Sequence, residues 1–383
     1  MIKLVSDTID KADISSLVEW LTQAEIPRLT KGDLTIQLEQ KWAKKIGSKY
    51  CVYVNSGSSA ILLTLAALLE SKRLKNKKIV IPSLSWATDV SSPMILGMDP
   101  VICDCNFEDL SCDLSHLEEL FKKHNPSVFI LVSPLGFVPD MQKILDLCNQ
   151  YDVILLEDVC ESMGSIYKDK YLGTFGLASF FSVYFGHHLS TIEGGFINTD
   201  DEEFYYLLLM MRSHGWDRDL PPHKQQELRD KCNVNNFDAL YTFYVPGFNL
   251  RSTDLQAFLG IRAIDKLDRY AQRRNKNFDI YLQNINQNIL KIRNEADNFI
   301  SNFAFPVVTH NKEKIIKRLI ENNIETRPLI AGNMAAKPMW IEKYGKVSLP
   351  NCETVDKFGF YVPNHQDLTE SDILKICKII NDE

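Results

Sequence analysis

Nowhere in the 383 residues is there a run of about 18 apolar residues, so no membrane-spanning helix and no membrane partner are expected. The opening Met1-Ile-Lys-Leu-Val-Ser-Asp7 lacks the charged-then-apolar order of a secretory signal, and a cytoplasmic location is the expectation. Positive charge is also short: 43 Lys and Arg stand against 50 Asp and Glu, for a net charge of −7. That balance argues against a nucleic-acid surface, while leaving room for a local basic pocket around a phosphate. No Gly-x-Gly-x-x-Gly opens any strand–helix unit, which argues against a dinucleotide site. No internal repeat or low-complexity tract is evident. Cysteine is present without a pairing pattern: nine are scattered along the chain, which reads as free thiols. Cys103, Cys105 and Cys112 offer three thiols where structural zinc takes four ligands, with Asp104 and Asp113 read as solvating neighbours, so no metal is expected.

What is present is strand–helix alternation. Apolar runs at Tyr50–Val54, Lys78–Pro82, Pro100–Asp104, Val128–Val132, Val153–Asp158 and Phe196–Asp200 read as strands. Helical periodicity lies between them, which predicts an α/β fold with a large, mostly parallel sheet. Thr8–Ala24 reads as an amphipathic helix with Ile14, Leu17, Val18, Trp20 and Leu21 as its apolar positions. Leu34–Ile46 reads as a second helix. The polar stretch 217–238 reads as an exposed loop. One long helix over about 255–285 leads into a C-terminal part of alternating strands and helices. The division expected is a large unit over 1–250 and a smaller α+β unit over 251–383.

Three stretches carry candidate chemistry. Asn55-Ser-Gly-Ser-Ser59 joins a strand to the apolar helical run from Ala60. There Gly57 permits a sharp turn, serines cap the helix, and helix-end amides with hydroxyls make an anion pocket, although an ordinary capped helix satisfies the same residues. Strand 153–158 ends in Glu157 and Asp158, and alternation alone does not choose which of them faces a site. Segment 182–195 reads Ser-Val-Tyr-Phe-Gly-His-His-Leu-Ser-Thr-Ile-Glu-Gly-Gly. Adjacent imidazoles want partners for their ring nitrogens, so His187 and His188 are either a satisfied structural pair or a functional one.

The layout Ser182-x-Tyr184-x-Gly186, then six residues from His187 to Glu193-Gly-Gly195, resembles the fold type I sugar aminotransferases that use pyridoxal phosphate. In that family a lysine six residues before the Glu-Gly-Gly links covalently to the cofactor, and here His187 fills its slot. His-His in place of Lys resembles the branch of 3-dehydratases acting on nucleotide-bound 4-keto-6-deoxysugars. The similarity runs from about Leu29 to the C-terminus. It implies pyridoxal 5'-phosphate or its pyridoxamine form as cofactor, a nucleotide sugar and glutamate as reactants, and a place in deoxysugar, colitose-type O-antigen synthesis. GDP is the expected nucleotide from overall similarity, with no guanine-reading motif legible.

Residue by residue, the resemblance implies that Gly57 and Ser58 hold the cofactor phosphate and Trp86 stacks on the ring. Asp158 would meet the ring nitrogen, with Glu161 and Ser182 close by. Asn249, in Val245-Pro-Gly-Phe-Asn-Leu-Arg251, would reach the phosphate of a neighbouring subunit, implying a homodimer with shared sites. Imidazole has no primary amine, so the cofactor would sit untethered and His187 would act as general base. Its reference pKa of about 6.5 suits both taking and returning a proton. His188 is expected to orient or pack, and His214 is a weaker candidate for a supporting contact. Arg327 and Arg251 could meet phosphate or carboxylate, or be structural. A related branch carries an iron–sulfur cluster on cysteines after the His-His pair; here only Cys232 lies in that region, so no cluster is expected. The alternatives are an aminotransferase with a non-lysine base and a non-catalytic sensor on the same fold, and the intact Ser58, Asp158 and Glu193-Gly-Gly weigh against the sensor.

Overall fold

A computed structural model describes residues 1–382. Its large sheet has seven strands: β1 (Tyr50–Val54), β2 (Lys78–Pro82), β3 (Asp99–Cys103), β4 (Val128–Val132), β5 (Ile154–Asp158), β8 (Ala178–Ser182) and β9 (Gly195–Thr199). Their order is β1-β9-β8-β5-β4-β2-β3. The run from β8 to β3 is parallel, and β9 is antiparallel to both of its neighbours. The mostly parallel sheet anticipated from the sequence is the one observed. Strands β4, β8 and β9 are buried along their whole length, as strands of a sheet covered on both faces must be. A short hairpin, β6 (Ile166–Tyr167) and β7 (Lys170–Tyr171), takes β10 (Asn298–Phe299) as a third strand. A second small sheet, β11 (Ala304–Val308), β13 (Gly359–Pro363) and β12 (Arg327–Pro328), is antiparallel.

The carboxyl ends of β2, β4, β5 and β8 gather at one edge of the large sheet, where ligands bind in open α/β sheets. Helix α3 (Gly57–Glu70) follows β1 there and is capped by Ser56, whose Oγ accepts from the Ser59 N–H at 3.0 Å. The C-terminal part docks on the same edge. Ser83 at the end of β2 accepts from the Met334 N–H at 2.9 Å, and the chain's own Ile2 pairs with Ile324 in a bridge. Among the described residues no helix is long and apolar enough to cross a membrane.

Four local expectations change. The first helix spans only Lys11–Leu21, because Asp10 caps it by accepting from the Asp13 N–H. Its one buried residue is Asp13, which is ion-paired to Arg262 and Lys266, whereas Ile14 and Val18 stay exposed at 49% and 54%. Segment 217–238 is not a loop: Pro222–Cys232 is helical, with proline at its first turn and Arg229 bound to the buried Asp217 at 2.8 Å. The long helix is two, Asp254–Ile264 and Leu267–Asn284. Asp104 is buried rather than solvating; its carboxylate accepts from the N–H groups of Cys105, Asn351 and Cys352. Asp104, Cys105 and Cys352 lie close together, but those backbone donors already occupy both oxygens of the acid. All nine cysteines are free.

Candidate active site

A cavity of about 380 Å³ opens at the gathered strand ends. Of the residues predicted for the site, Gly57, Ser58, Trp86, Asp158, Glu161, Ser182 and His187 all line it. They come from four separate places in the chain, each positioned by a strand end or by the turn after it.

One wall is the start of α3. Gly57 is its first residue and takes ordinary helical geometry, so the turn is not what requires a glycine there. Close approach is: a Cβ on Gly57 would sit 2.8 Å from the Ser182 Cβ, and one on Gly195 would lie 2.4 Å from the Ser56 carbonyl oxygen. The two glycines let β8, β9 and α3 converge, which brings the helix-end amides and the Ser182 hydroxyl to one wall. Ser58 Oγ lies 2.9 Å from Thr88 Oγ1, tying this wall to the segment that bears Trp86. Trp86 is 58% exposed at the rim, free to present its ring face to a ligand.

The floor is the end of β5, and pairing resolves the choice between its two acids. Glu157 points to the other face, where it accepts from the N–H groups of Gly173, Phe175 and Gly176 at 2.7 to 2.8 Å. Asp158 faces the cavity at 5% exposure and accepts one backbone N–H, from Cys160 at 2.9 Å. Burial raises its pKa, partly offset by its hydrogen bonds with Cys160 and Asp89. Glu161 accepts from the Leu135 N–H at 3.0 Å, and burial pushes it up to about 7.

The two histidines separate. His188 is fully buried and donates from Nε2 to the Ser301 carbonyl at 2.9 Å, which makes it the packing member of the pair. His187 lines the cavity with a buried Nδ1 that has no partner. Burial lowers its pKa to about 4, with a hydrogen bond to the Cys160 backbone partly opposing. The ring is therefore a neutral base throughout the physiological range rather than a group poised at 6.5.

Asn249 and His214 are not brought to this cavity. Asn249 is exposed and accepts from Arg251 Nε at 3.0 Å, while His214 lies against Trp216. Of the two arginines left open by the sequence, Arg327 lines the cavity and Arg251 does not. Sequence reasoning missed Leu4, Val5, Phe303 and Tyr361. No local motif marks them; Leu4 and Val5 arrive through the pairing of the N-terminal arm with Ile324, and Phe303 and Tyr361 through the small sheet. Tyr184 and Glu193, inside the His-His motif, also line it.

A chain-length match accompanies this geometry. The chain belongs to the DegT/DnrJ/EryC1/StrS aminotransferase family, whose model matches residues 8–381. Within it, the chain is 34% identical to GDP-4-keto-6-deoxy-D-mannose 3-dehydratase of Escherichia coli O55:H7, over 95% of each protein. It is 28% identical to GDP-perosamine synthase of Escherichia coli O157:H7, over 92% of this chain and 91% of that one. A solved GDP-4-keto-6-deoxymannose-3-dehydratase with a trapped PLP-glutamate geminal diamine superposes with a TM-score of 0.90 at 31% identity, covering all of both chains. The fold anticipated from the sequence, that of the pyridoxal-phosphate aminotransferases, is the fold observed.

Proposed function

We propose that the protein is a pyridoxamine-phosphate-dependent 3-dehydratase that removes the C3 hydroxyl of a nucleotide-linked 4-keto-6-deoxyhexose. The substrate is GDP-4-keto-6-deoxy-D-mannose, and glutamate restores the amine form of the cofactor. The observation that carries this reading is the cavity-facing imidazole of His187 in the slot where the family resemblance expects a lysine, its Nδ1 unpartnered. Pyridoxal phosphate is the cofactor, and when bound it supplies an electron-accepting ring and, as the amine, a group that condenses with the sugar ketone.

The residues present suit that group. The amides at the start of α3 and the Ser182 hydroxyl form an anion site for its phosphate. Asp158 is a buried acid with a single backbone donor and no cation, suited to a protonated ring nitrogen. Trp86 offers a ring face at the rim. No lysine lines the cavity, so the cofactor is held without a covalent link. His187, whose pKa desolvation lowers, would be the neutral base placed to take a proton from the carbon beside the cofactor amine and to return it to the departing C3 hydroxyl. Burial holds Glu161 as an acid up to about pH 7, so it can donate a hydrogen bond into the site. Asn249, exposed and outside its own cavity, serves the phosphate of a second copy, in a homodimer with shared sites.

Pyridoxamine phosphate, a GDP-linked 4-keto-6-deoxyhexose and glutamate supplied together test the reading. A 3-deoxy-4-keto sugar with matching 2-oxoglutarate is the expected product pair. An amino sugar instead would assign the chain to the aminotransferases, the chemistry named for the 28% identical relative. Cofactor binding without either product would refute both.

A further inference from the structure

The chain before Thr8 is tied down along its length. The Ile2 N–H donates to the Asn323 carbonyl at 2.8 Å, and the Glu325 N–H donates back to the Ile2 carbonyl at 3.0 Å. The Leu4 N–H donates to Glu325 Oε2 at 2.8 Å. His365 Nδ1 accepts from the Asp367 N–H at 3.3 Å, so its Nε2 carries the proton and donates to the Lys3 carbonyl at 3.2 Å. The buried Thr8 hydroxyl accepts from the Ser190 N–H at 2.8 Å, three residues past His187. Residues 1–7 precede the span that the family model matches. Held in this way, Leu4 and Val5 line the cavity together with Phe303 and Ile330, which flank β11 and β12 of the small sheet. None of these four side chains can pair with a hydroxyl. Arg327 and Tyr361 are the polar residues that the same sheet brings to the cavity. Ile330 is β-branched and yet sits in the left-handed region, at φ +54°. Strain of that kind persists where the surrounding structure enforces it, commonly against a ligand.

We propose that the N-terminal arm is a specificity-determining element: Leu4 and Val5, with Phe303 and Ile330, meet the methyl-bearing edge of the hexose and admit a 6-deoxy sugar in preference to one that keeps its C6 hydroxyl. This rests on the nucleotide-sugar reading of the site. The methyl group hangs on C5, next to the C4 ketone that condenses with the cofactor amine, so the surface that meets it lies beside the reacting centre. The Phe303 ring is there, its centroid 5.5 Å from that of His187. A methyl group gains from burial against an apolar surface. A hydroxyl in its place gives up water and finds no partner, which costs about 10- to 100-fold in affinity. The polar groups of the sugar have Glu161, Ser182, Glu193 and Arg327 on the remaining lining.

The test uses the full-length protein with pyridoxamine phosphate and two unreactive probes, GDP-mannose and GDP-6-deoxymannose, which differ by one oxygen. Their affinities are measured by calorimetry. The natural chain is expected to bind the 6-deoxy probe about 10- to 100-fold more tightly. Val5→Thr keeps the shape and adds a hydroxyl, and should narrow that preference about three- to tenfold, the range of one hydrogen bond. Glu325→Ala releases the Leu4 N–H and should narrow it about threefold, whereas Glu325→Gln keeps an acceptor oxygen and should stay within about twofold of the natural chain. The affinity for pyridoxamine phosphate alone should be the same in Val5→Thr, which also reports that the variant is folded. A preference absent from the natural chain, or unchanged by both Val5→Thr and Glu325→Ala, overturns the proposal. A loss of cofactor affinity in Val5→Thr overturns it too, because the arm would then face the cofactor. If the preference and its narrowing are seen without dehydration of the keto sugar, the proposed function falls and the role of the arm stands; if neither probe binds, both fall.

Discussion

Two clusters of buried ionisable groups lie on the same large sheet, and they are finished differently. Behind β1, Arg212 is fully buried and every charge around it is paired. It donates to Glu39 at 2.5 Å, to the Tyr53 carbonyl at 2.9 Å and to Asp219 at 3.0 Å. Glu39 also accepts the Tyr53 N–H, and Asp219 meets Lys31 at 2.9 Å. At the carboxyl ends of the strands, Asp158 and Asp89 are as deeply buried, Glu161 and His187 are half-buried beside them, and no cation is paired with any of the acids. Desolvation burdens both clusters alike. The first relieves it within the chain by pairing every charge, although the Arg212 Nε is left without a partner. The second is left short of one positive charge, beside a cavity of about 380 Å³. A protein that leaves buried acids uncompensated around a cavity has a ligand to complete them, and that contrast locates the site without appeal to any relative.

Substitutions that exchange the roles of the two clusters break the comparison. The largest effect is expected at His187. His187→Lys should lower 3-deoxy sugar formation by about 10²- to 10⁴-fold, the usual contribution of a positioned general base. The same variant should give a borohydride-reducible cofactor adduct, which the natural chain lacks; a variant that still dehydrates at the natural rate removes His187 as the base. Next comes Arg212→Met, which strands Glu39 without its buried partner. Urea denaturation should show a loss of about 3–5 kcal/mol. A loss under about 1 kcal/mol would mean that the closed network is not a structural unit.

Glu161→Gln sharpens the contrast through pH. The folded-state pKa of Glu161 is raised from 4.5 to about 7. A raised acid contributes its stability below its unfolded pKa and loses it as pH climbs through the folded value. The cofactor-free natural chain should therefore lose about 3 kcal/mol relative to Glu161→Gln between pH 4.5 and pH 7. His187, lowered from 6.5 to about 4, works in the opposite sense: it favours the folded state above 6.5 and that contribution fades as pH falls toward 4. Denaturation midpoints across this range, natural chain against variant, isolate the Glu161 part. A difference that does not change with pH would show that Glu161 is not held as an acid.

The sheet was legible because its strands are fully apolar and short, with turn residues between them; every strand expected in the large sheet is present. Seven of the eight candidate site residues line one cavity, because they sit in three local motifs and the Trp86 turn, each at a strand end. What stayed hidden depends on distant pairing. Alternation left Glu157 and Asp158 open and the resemblance pointed to Asp158; the physical reason, the Gly173–Gly176 turn that saturates Glu157, appears only in the fold. Leu4 and Val5 enter the cavity because Ile2 pairs with Ile324, far along the chain. The first helix misled for a related reason: its apolar positions looked core-facing, yet the residue it buries is Asp13, held by Arg262 and Lys266 from a helix roughly 250 residues away. Periodicity says which face is apolar, not what will cover it.

Asp158→Asn puts the smallest and most discriminating demand on the comparison. In a closed network, neutralising an acid leaves its partner stranded. At Asp158 no cation is stranded, and Asn keeps an oxygen to accept from the Cys160 N–H. The cofactor-free variant should therefore match the natural chain in stability within about 1 kcal/mol, or exceed it, since one uncompensated buried charge has gone. Its affinity for pyridoxamine phosphate should fall by about 10- to 100-fold, because the protonated ring nitrogen loses its charged acceptor. The two readings together matter more than either alone. Stability kept and affinity lost is what a charge held for a ligand produces. Stability lost to the extent expected for Arg212→Met would mean that Asp158 is part of the scaffold, and the distinction between the closed cluster and the open one would not hold.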